Sequence, residues 1–142
     1  MVSPGGGLAA NVMDYWRLMQ MLLNRGELNG VRLLQPETVD LMTENHLRED
    51  QGPLWWYQPE QIPPWQGYGY GFQVGVRLAG GDHTHPGSPG EFLWGGFADT
   101  TFFVDEREGI VAIALSQFLG PPTDMGKLLR QRVYESLGDV GN

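Results

Sequence analysis

The chain offers few side chains that could act as nucleophiles. It contains no cysteine, which excludes a thiol nucleophile, disulfides and thiolate metal sites. None of its serines lies in a Gly-x-Ser-x-Gly elbow, the strained turn that presents the nucleophile of α/β-hydrolases. Composition alone leaves a Ser–His–acid triad open, and the serines available to it are Ser3, Ser88, Ser116 and Ser136.

Histidines and carboxylates give weaker signals. A zinc site needs three or four ligands, and only His46, His83 and His85 are present, so surface histidines are favoured over a metal site. No glycine-rich turn ends in Gly-Lys-Ser/Thr, which excludes a phosphate loop. We therefore expect neither a metal nor a cofactor. The acidic groups lie in polar stretches and are interpreted as a solvated face, namely Glu44, Glu49 and Asp50, then Asp105, Glu106 and Glu108.

A glycine pair beside a tryptophan is the most unusual local feature. Trp94, Gly95 and Gly96 end an apolar run that starts at Phe92. Glycine inside a strand packs nothing and adds backbone entropy, so it commonly marks a close approach to the backbone. This segment is predicted to be one wall of a site.

Three segments have helical spacing. Asn11 can cap the first, Asp14 lies in its first turn, and Gly26 can stop it. Its predicted apolar stripe is Val12, Tyr15, Trp16, Met19, Leu22 and Leu23. After a tight turn at Asn29-Gly30, Pro36 can start a second helix. The predicted inner side of that helix is Val39, Met42 and His46.

A last helix follows Pro121-Pro122, with Thr123 as its cap and Gly138 as its end. Its predicted inward face is Met125, Leu128, Leu129, Val133 and Leu137. Residues 47–67 have no period and carry several Trp and Pro, which favours an ordered loop. Aromatic side chains that cover the core are favoured there over a substrate lid.

Residues 70–76 alternate with glycine and are predicted to form one strand; a Gly- and Pro-rich loop, 78–90, follows. Three further extended segments are predicted at residues 91–97, 100–104 and 110–115. Residues 110–115 are apolar at every position, Ile110 and Leu115 included, so both faces should be buried under helices. The short connection at 105–109 makes the sheet antiparallel. The predicted fold is α+β, an antiparallel sheet flanked by helices.

Composition limits the class of protein and the kinds of partner that are possible. The length of 142 residues fits one domain, and 41% hydrophobic with 18% charged residues is typical of a folded soluble protein. A net charge of -8 argues against nucleic acid as a partner. No apolar run approaches the length of a membrane span, so no membrane partner is expected. Residues 1–7 lack the charged and apolar regions of a signal peptide.

Several features in one order resemble the serine β-lactamase-like hydrolases, which include class C β-lactamases, DD-peptidases and related esterases. The glycine-rich entry at residues 5–15 is similar to a helix entry of that family, and residues 22–42 to its next segment. Residues 68–72 resemble its aromatic–glycine strand. Residues 89–96 resemble the strand of its third catalytic motif. Residues 104–105 and 115–117 resemble parts of its last hairpin.

This resemblance implies a function for the glycine pair. The third motif, Lys-Thr-Gly in β-lactamases and often His-Gly-Gly or Trp-Gly-Gly in esterase-like members, matches Trp94, Gly95 and Gly96. The backbone N–H of Phe97 would then be one oxyanion-hole donor, and the three motif residues would bind substrate. Lysine is absent from this motif, so an aromatic wall at Trp94 suits an ester better than a carboxylate-bearing substrate.

Two family motifs are missing from the sequence. Ser-x-x-Lys requires a lysine three places after a serine, and the only lysine is Lys127. No tyrosine is followed two places later by asparagine, so Tyr-x-Asn is absent. Both motifs lie upstream of the matched region in the family. We expect the chain to be the C-terminal part of such a hydrolase, with helical residues 1–46, loop 47–67, strands 68–118 and helix 119–142.

Two functions remain open. One is a fragment or subunit of a serine hydrolase for small-molecule esters or β-lactams, inactive alone. The other is a non-catalytic binding or structural domain that retains the scaffold. In the family fold the last strand pairs with an upstream first strand, so here residues 110–115 could be an exposed edge that supports homo-oligomers. Alternatively, the last helix or the aromatic loop covers that edge.

Overall fold

The computed structural model describes residues 9–48, 67–80, 85–120 and 123–139. Most of the predicted aromatic loop, together with His83 and Pro121-Pro122, lies outside them. In the described residues the helices are α1 (Val12–Leu23), α2 (Pro36–Thr43) and α3 (Met125–Asp139). The strands are β1 (Glu27–Leu28), β2 (Val31–Arg32), β3 (Tyr68–Tyr70), β4 (Gly75–Arg77), β5 (Phe92–Gly95), β6 (Thr101–Asp105) and β7 (Ile110–Ala114).

Five of these strands form one antiparallel sheet in the order β3-β4-β5-β6-β7. Strands β5 and β6 pair Phe92 with Val104 and Gly95 with Thr101. Strands β6 and β7 pair over their whole length, through the short hairpin that the sequence predicted. The remaining two strands, β1 and β2, form a separate hairpin. The predicted α+β class is confirmed.

Two adjacent phenylalanines show how the helices flank the sheet. Phe102 meets the ring of Tyr15 in α1 edge-on, with the ring centroids 5.5 Å apart. Phe103 stacks on Tyr134 in α3, with the centroids 6.0 Å apart. Neighbouring strand residues point to opposite faces, so α1 and α3 cover opposite sides of the sheet. This confirms helices above and below the strands, but Leu115, which was predicted to be buried, is 49% exposed.

The core lies on the α1 side. It consists of fully or nearly buried apolar side chains from α1, α2, β5 and β6, namely Met19, Met21, Leu22, Val39, Phe92, Phe102 and Val104. Burial of such side chains stabilises a fold by roughly 1.5–3 kcal/mol each. This packing fixes α1 over one end of the strands, where the candidate site lies.

The cap of α1 is confirmed, but its predicted apolar stripe is partly wrong. Asn11 Oδ1 accepts a hydrogen bond from the Asp14 N–H at 3.0 Å. Val12 and Trp16 are exposed, while Met21, which was not predicted, is buried. The buried stripe is therefore narrower and rotated toward Met21. Arg25, with φ 54, takes the left-handed position after the helix, and Gly26 follows it.

The turn and second helix are close to prediction. Asn29 and Gly30 both have positive φ, as a two-residue hairpin turn requires. Pro36 is the first residue of α2, and Val39 is fully buried. His46 was wrongly placed on this helix. It lies beyond Thr43 and stacks on Phe72, with the ring centroids 4.7 Å apart.

The single strand predicted for residues 70–76 is wrong. The chain turns between β3 and β4, with Gly71 N–H donating to Val74 O at 2.8 Å and Gln73 at φ 64. Alternating glycines imitate the period of a strand, but here Gly71 packs its backbone against Met42 O and leaves no room for a side chain. The result is two short strands.

The last helix is capped as predicted, since Met125 N–H donates to Thr123 Oγ1 at 3.1 Å. The prediction of its inward face was partly wrong. Leu128 and Leu137 are exposed, and Arg130 is buried instead. The helix also continues past Gly138 to Asp139. A charged residue occupies the inner face because it has a buried partner, described below.

Candidate functional site

Among the described strands, β5 extends past its neighbour β4 and has an open edge at that end. Strand β4 pairs with Phe92 and Leu93 only, whereas β6 continues to Gly95. Gly96 N–H donates to Thr100 O at 2.8 Å, on the β6 side. Backbone groups alternate along a strand, so Gly95 directs its N–H to the opposite edge, and Phe97 follows in the turn after the strand.

The turn after β5 holds this edge in place. Asp99 N–H donates to Gly96 O at 3.0 Å, which closes a four-residue turn with Phe97 in its second position. Ala98 O accepts hydrogen bonds from the Ser116 hydroxyl at 2.5 Å and from Phe118 N–H at 3.2 Å. Within the described part of the chain, the N–H of Phe97 has no hydrogen-bond partner. Its side chain is 91% exposed.

The two glycines differ in what surrounds them. A Cβ at Gly96 would lie 2.3 Å from Thr100 Oγ1, too close for any side chain without movement of Thr100. A Cβ at Gly95 would be 3.4 Å from Thr100 O, an ordinary contact. The close approach predicted for the pair therefore occurs at Gly96, and Thr100 is the residue that makes it.

A groove of about 480 Å³ lies at this end of the sheet. Three of the predicted site residues line it together, and the side chain of Phe97 lies outside it. The lining comprises Ala10, Asp14, Tyr15, Leu18, Trp94, Gly95, Gly96, Thr100, Thr101, Phe102 and Leu115. The Trp94 ring also contacts the ring of Tyr70, with the centroids 5.4 Å apart, which holds the indole in the wall.

Sequence reasoning missed the α1 part of this groove. Tyr15 and Leu18 were assigned no role in a site, although Asp14 and Tyr15 belonged to a segment matched to the family. Only the packing of α1 across the strand ends brings them beside Trp94. The helical spacing of Asp14 and Leu18, four residues apart, was the signal that they share one flank.

Charge in the groove is limited. Neither lysine, arginine nor histidine is among its lining residues in the described chain. Asp14 is the one carboxylate among the described lining residues; it accepts a hydrogen bond from Arg17 at 2.5 Å and both groups are largely exposed. Burial raises the pKa of the Tyr15 phenol above its ordinary value, which is already well above neutral pH. The groove therefore suits an uncharged, largely apolar group.

A buried polar cluster lies behind β5, on the α3 face. The guanidinium of Arg130 donates to Glu91, the residue before β5, and sits 4.5 Å over the Phe103 ring. Glu91 Oε2 is buried and has no hydrogen-bond partner among the described residues. Burial raises the pKa of Glu91, and the charge of Arg130 offsets this in part. This cluster anchors the start of the strand that ends in the open edge.

The cluster continues to Asp105, which was wrongly assigned to a solvated face. Asp105 is fully buried and accepts hydrogen bonds from Tyr134 and from Ser88 N–H at 2.9 Å, while Glu106 and Glu108 are exposed as predicted. Burial alone would raise the pKa of Asp105, but these hydrogen bonds outweigh burial and lower it. A carboxylate can be buried when N–H and O–H donors surround it.

Arg77 joins the same cluster to the following loop. Its guanidinium donates to His85 O at 2.8 Å and to Pro86 O at 3.1 Å. Burial, with the charges of Arg130 and Arg77, lowers the pKa of His85 to about 4. His85 is therefore neutral at physiological pH and serves as part of the packing of this loop.

In residues 9–48, 67–80, 85–120 and 123–139, no group of His, Asp and Glu side chains has the arrangement of a metal site. The helices of that part of the chain are all too short or too polar to cross a bilayer.

The amino-acid sequence is similar to a mycobacterial protein. Protein Rv1367c of Mycobacterium tuberculosis is 33% identical over 116 residues, which cover 80% of this chain. The match covers 28% of the relative, so the chain spans less than a third of the length of the curated protein it matches.

Two solved structures share the fold. EstCE1, a hydrolase with promiscuous acyltransferase activity, superimposes with a TM-score of 0.63 at 24% identity, covering 88% of this chain and 30% of that one. Simvastatin synthase (LovD) from Aspergillus terreus gives 0.64 at 23% identity, covering 88% and 34%. At this identity the similarity concerns the fold alone.

The family model described as Beta-lactamase matches residues 1–135, nearly the whole chain. The matched region includes α1, the groove and the open edge of β5. In the sequence, a helix, a hairpin, a glycine strand and a final hairpin follow one another in an order that resembles this family. The structure has the same order. The chain belongs to the beta-lactamase family.

Proposed function

We propose that this chain forms the oxyanion-binding strand and one wall of the acyl site in a β-lactamase-like serine hydrolase. The substrates are small-molecule esters or β-lactam-type compounds, cleaved through an acyl-enzyme. The nucleophile comes from a segment outside these 142 residues, so the chain alone is inactive. The proposal rests on one observation, the open edge of β5 beside an apolar groove.

The reaction assigns a defined role to that edge. A serine Oγ attacks the acyl carbonyl carbon, its proton passes to a base, and the carbonyl oxygen becomes negatively charged. The N–H of Phe97 donates to this oxyanion, which a fixed backbone dipole stabilises more than it stabilises the neutral carbonyl. The hydrogen bonds at Ala98 O and Gly96 O hold that N–H in position before substrate binds.

The groove supports an apolar acyl or alcohol group. Trp94, Tyr15 and Phe102 provide aromatic surface on one side of the open edge. A substrate carboxylate would meet no cation among the described lining residues, and the charge of Asp14 there is already paired with Arg17. An uncharged ester therefore fits this wall better than a β-lactam that carries a carboxylate.

Two assays test the proposal. The purified chain should not hydrolyse a short-chain nitrophenyl ester or a chromogenic cephalosporin. A polypeptide extended by the coding sequence that precedes Met1 should hydrolyse the ester and become labelled by a fluorophosphonate. Turnover by the chain alone that is lost on replacing one of its own serines would overturn the proposed inactivity.

A matched pair of variants isolates the backbone donor. In the extended polypeptide, Phe97→Pro removes the N–H at a turn position that tolerates proline, and should lower kcat about 10²–10³-fold. Phe97→Ala keeps the N–H and should retain most activity, because the native side chain is 91% exposed. Equal loss in both variants would show that the side chain matters and the N–H does not.

A non-catalytic domain is the second candidate, favoured by the absence of Ser-x-x-Lys and Tyr-x-Asn from the sequence. It predicts that the extended polypeptide also resists fluorophosphonate labelling and leaves the ester intact. Binding of the intact ester without turnover would then support it.

A further inference from the structure

The loop that joins β5 to β6 is short and is closed by two backbone hydrogen bonds. Gly96 N–H donates to Thr100 O at 2.8 Å, and Asp99 N–H donates to Gly96 O at 3.0 Å. Three-residue hairpin loops commonly end with a residue in the left-handed conformation. In this loop that residue is Asp99, with φ 61. The geometry of the loop therefore depends on how Asp99 is held.

The second of these bonds acts on the peptide group that carries the proposed oxyanion donor. Gly96 O and the N–H of Phe97 belong to the same peptide group, which is planar and trans, so the two point in opposite directions. The bond from Asp99 N–H holds Gly96 O inside the loop. It therefore directs the N–H of Phe97 out of the loop. A shift of Asp99 would turn the whole peptide group, and the N–H with it.

Aspartate is not the residue that the backbone favours at this position. Glycine adopts a positive φ without steric cost, whereas the Cβ of other residues meets the backbone there. What Asp99 offers instead is its carboxylate, which accepts a hydrogen bond from the Thr123 hydroxyl. The same hydroxyl oxygen caps α3 by accepting from Met125 N–H at 3.1 Å. One threonine thus joins the end of the loop to the start of the helix.

Helix α3 is packed against the sheet, so this link ends on a fixed element. A Cβ at Gly126, in the first turn of α3, would lie 3.2 Å from Thr101 Oγ1, which is closer than an ordinary contact. Further along the helix, the ring of Tyr134 stacks on that of Phe103. A carboxylate near a helix N-terminus is also favoured by the helix dipole. These contacts keep Asp99 in place.

We propose that Asp99 and Thr123 are positioning residues for the reaction at the open edge of β5, a role that rests on the function proposed above. Both act through the backbone and not on the substrate. The bonds at Ala98 O hold the middle of the loop, and the link from Asp99 to Thr123 holds its end. Without the link, the N–H of Phe97 is present but free to turn. Stabilisation of the oxyanion then falls while substrate binding is retained.

Two complementary variants test the link in the extended polypeptide. Thr123→Asp keeps a good helix cap but places a second carboxylate against Asp99, so the hydrogen bond is lost. For a nitrophenyl ester it should lower kcat about tenfold with KM nearly unchanged, a smaller loss than removal of the donor itself. Adding Asp99→Asn should restore most of kcat, because the introduced amide can donate to the introduced carboxylate. Asp124→Asn removes an exposed carboxylate beside the same helix start; it is the matched control and should keep the native kcat.

Amide exchange in the 142-residue chain follows the link without any need for activity. The amide of residue 99 should exchange faster in Thr123→Asp and return to its native rate when Asp99→Asn is added. If Thr123→Asp does not fold, Asp99→Gly decides, because glycine accepts the same φ and removes only the side chain. That variant should speed the same amide and lower kcat in the same way.

The possible outcomes distinguish the positioning role from the hydrolase function. A native extended polypeptide without esterase activity would overturn the proposed function and, with it, the role of Asp99 and Thr123. An active native polypeptide with unchanged kcat in Thr123→Asp would overturn the positioning role alone. The same holds for a loss of kcat that Asp99→Asn does not restore, and for a change confined to KM, since neither would come from the orientation of the Phe97 N–H.

Discussion

The Arg130 guanidinium donates a hydrogen bond to the Glu91 carboxylate, and both side chains are almost completely buried, at 4% and 0% exposure. The two residues are 39 positions apart, one in α3 and the other at the entry to β5. A buried charge that loses its partner is expensive, whereas replacing the whole pair by apolar groups often costs little. This pair therefore couples α3 to the strand that forms the open edge.

The first prediction concerns that pair. Arg130→Met should lower the free energy of unfolding by about 3–5 kcal/mol, because Glu91 is left buried and unpaired. Urea denaturation at neutral pH measures it. The control is Arg132→Met, which breaks the exposed pair with Glu135 and should cost at most about 0.5 kcal/mol. The double variant Arg130→Met/Glu91→Leu should recover much of the loss; failure to recover would show that packing, not charge, dominates.

A second prediction follows from His85. Its pKa of about 4 in the folded chain lies below the ordinary value of 6.5, because of burial and the charges of Arg130 and Arg77. Between these values the unfolded chain binds a proton that the folded chain does not, so stability falls as pH decreases from 6.5 toward 4.

In urea titrations at several pH values, His85→Gln should show a shallower loss of stability across that window, since glutamine does not titrate. His46→Gln is the control: that ring is also hydrogen-bonded, to Leu41 O at 2.7 Å, but lies in an exposed position. A pH profile of His85→Gln parallel to that of the native chain would contradict this account.

A third prediction compares two glycines of positive φ. Gly26 has φ +94, and a Cβ there would lie 2.1 Å from Leu34 O. Gly30 has φ +79 with open space around it. Gly26→Ala should destabilise the chain by more than about 1 kcal/mol and more than Gly30→Ala, because backbone strain and a clash add together. Thermal unfolding of both variants measures the difference, and the reverse order would contradict it.

Local signals in the sequence were sufficient for much of the fold. Caps and turns could be predicted because each depends on residues that are close in sequence, namely Asn11, Asn29-Gly30, Pro36 and Thr123. The prediction of one strand for residues 70–76 was wrong because the glycines recur with the period of a strand. They have no side chains that would show where the chain turns.

Partners distant in sequence could not be predicted. Arg130 and Asp105 are polar, and a polar residue is normally assigned to the surface unless its partner is known. The same limit applies to the groove. Trp94, Gly95 and Gly96 could be singled out from their own types, whereas Tyr15 and Leu18 join them only through the packing of α1.

A last prediction concerns the turn that follows Gly96. The Ser116 hydroxyl donates to Ala98 O at 2.5 Å in a partly buried position, and Phe118 N–H bonds to the same oxygen. Ser116→Ala should cost about 1 kcal/mol and speed amide exchange at Asp99 and Phe118, since one of two anchors of the turn is lost. Ser136→Ala, whose hydroxyl bonds to Val133 O at 2.7 Å on the exposed side of α3, is the matched control.

This last variant also separates structure from catalysis. If the turn holds the Phe97 N–H for an oxyanion, Ser116→Ala in the extended polypeptide should lower kcat while leaving KM nearly unchanged, because the N–H acts mainly in the transition state. A rise in KM at constant kcat would instead place Ser116 in ground-state binding. Unaltered exchange at Asp99 would show that Phe118 alone anchors the turn, and the kcat effect should then be absent as well.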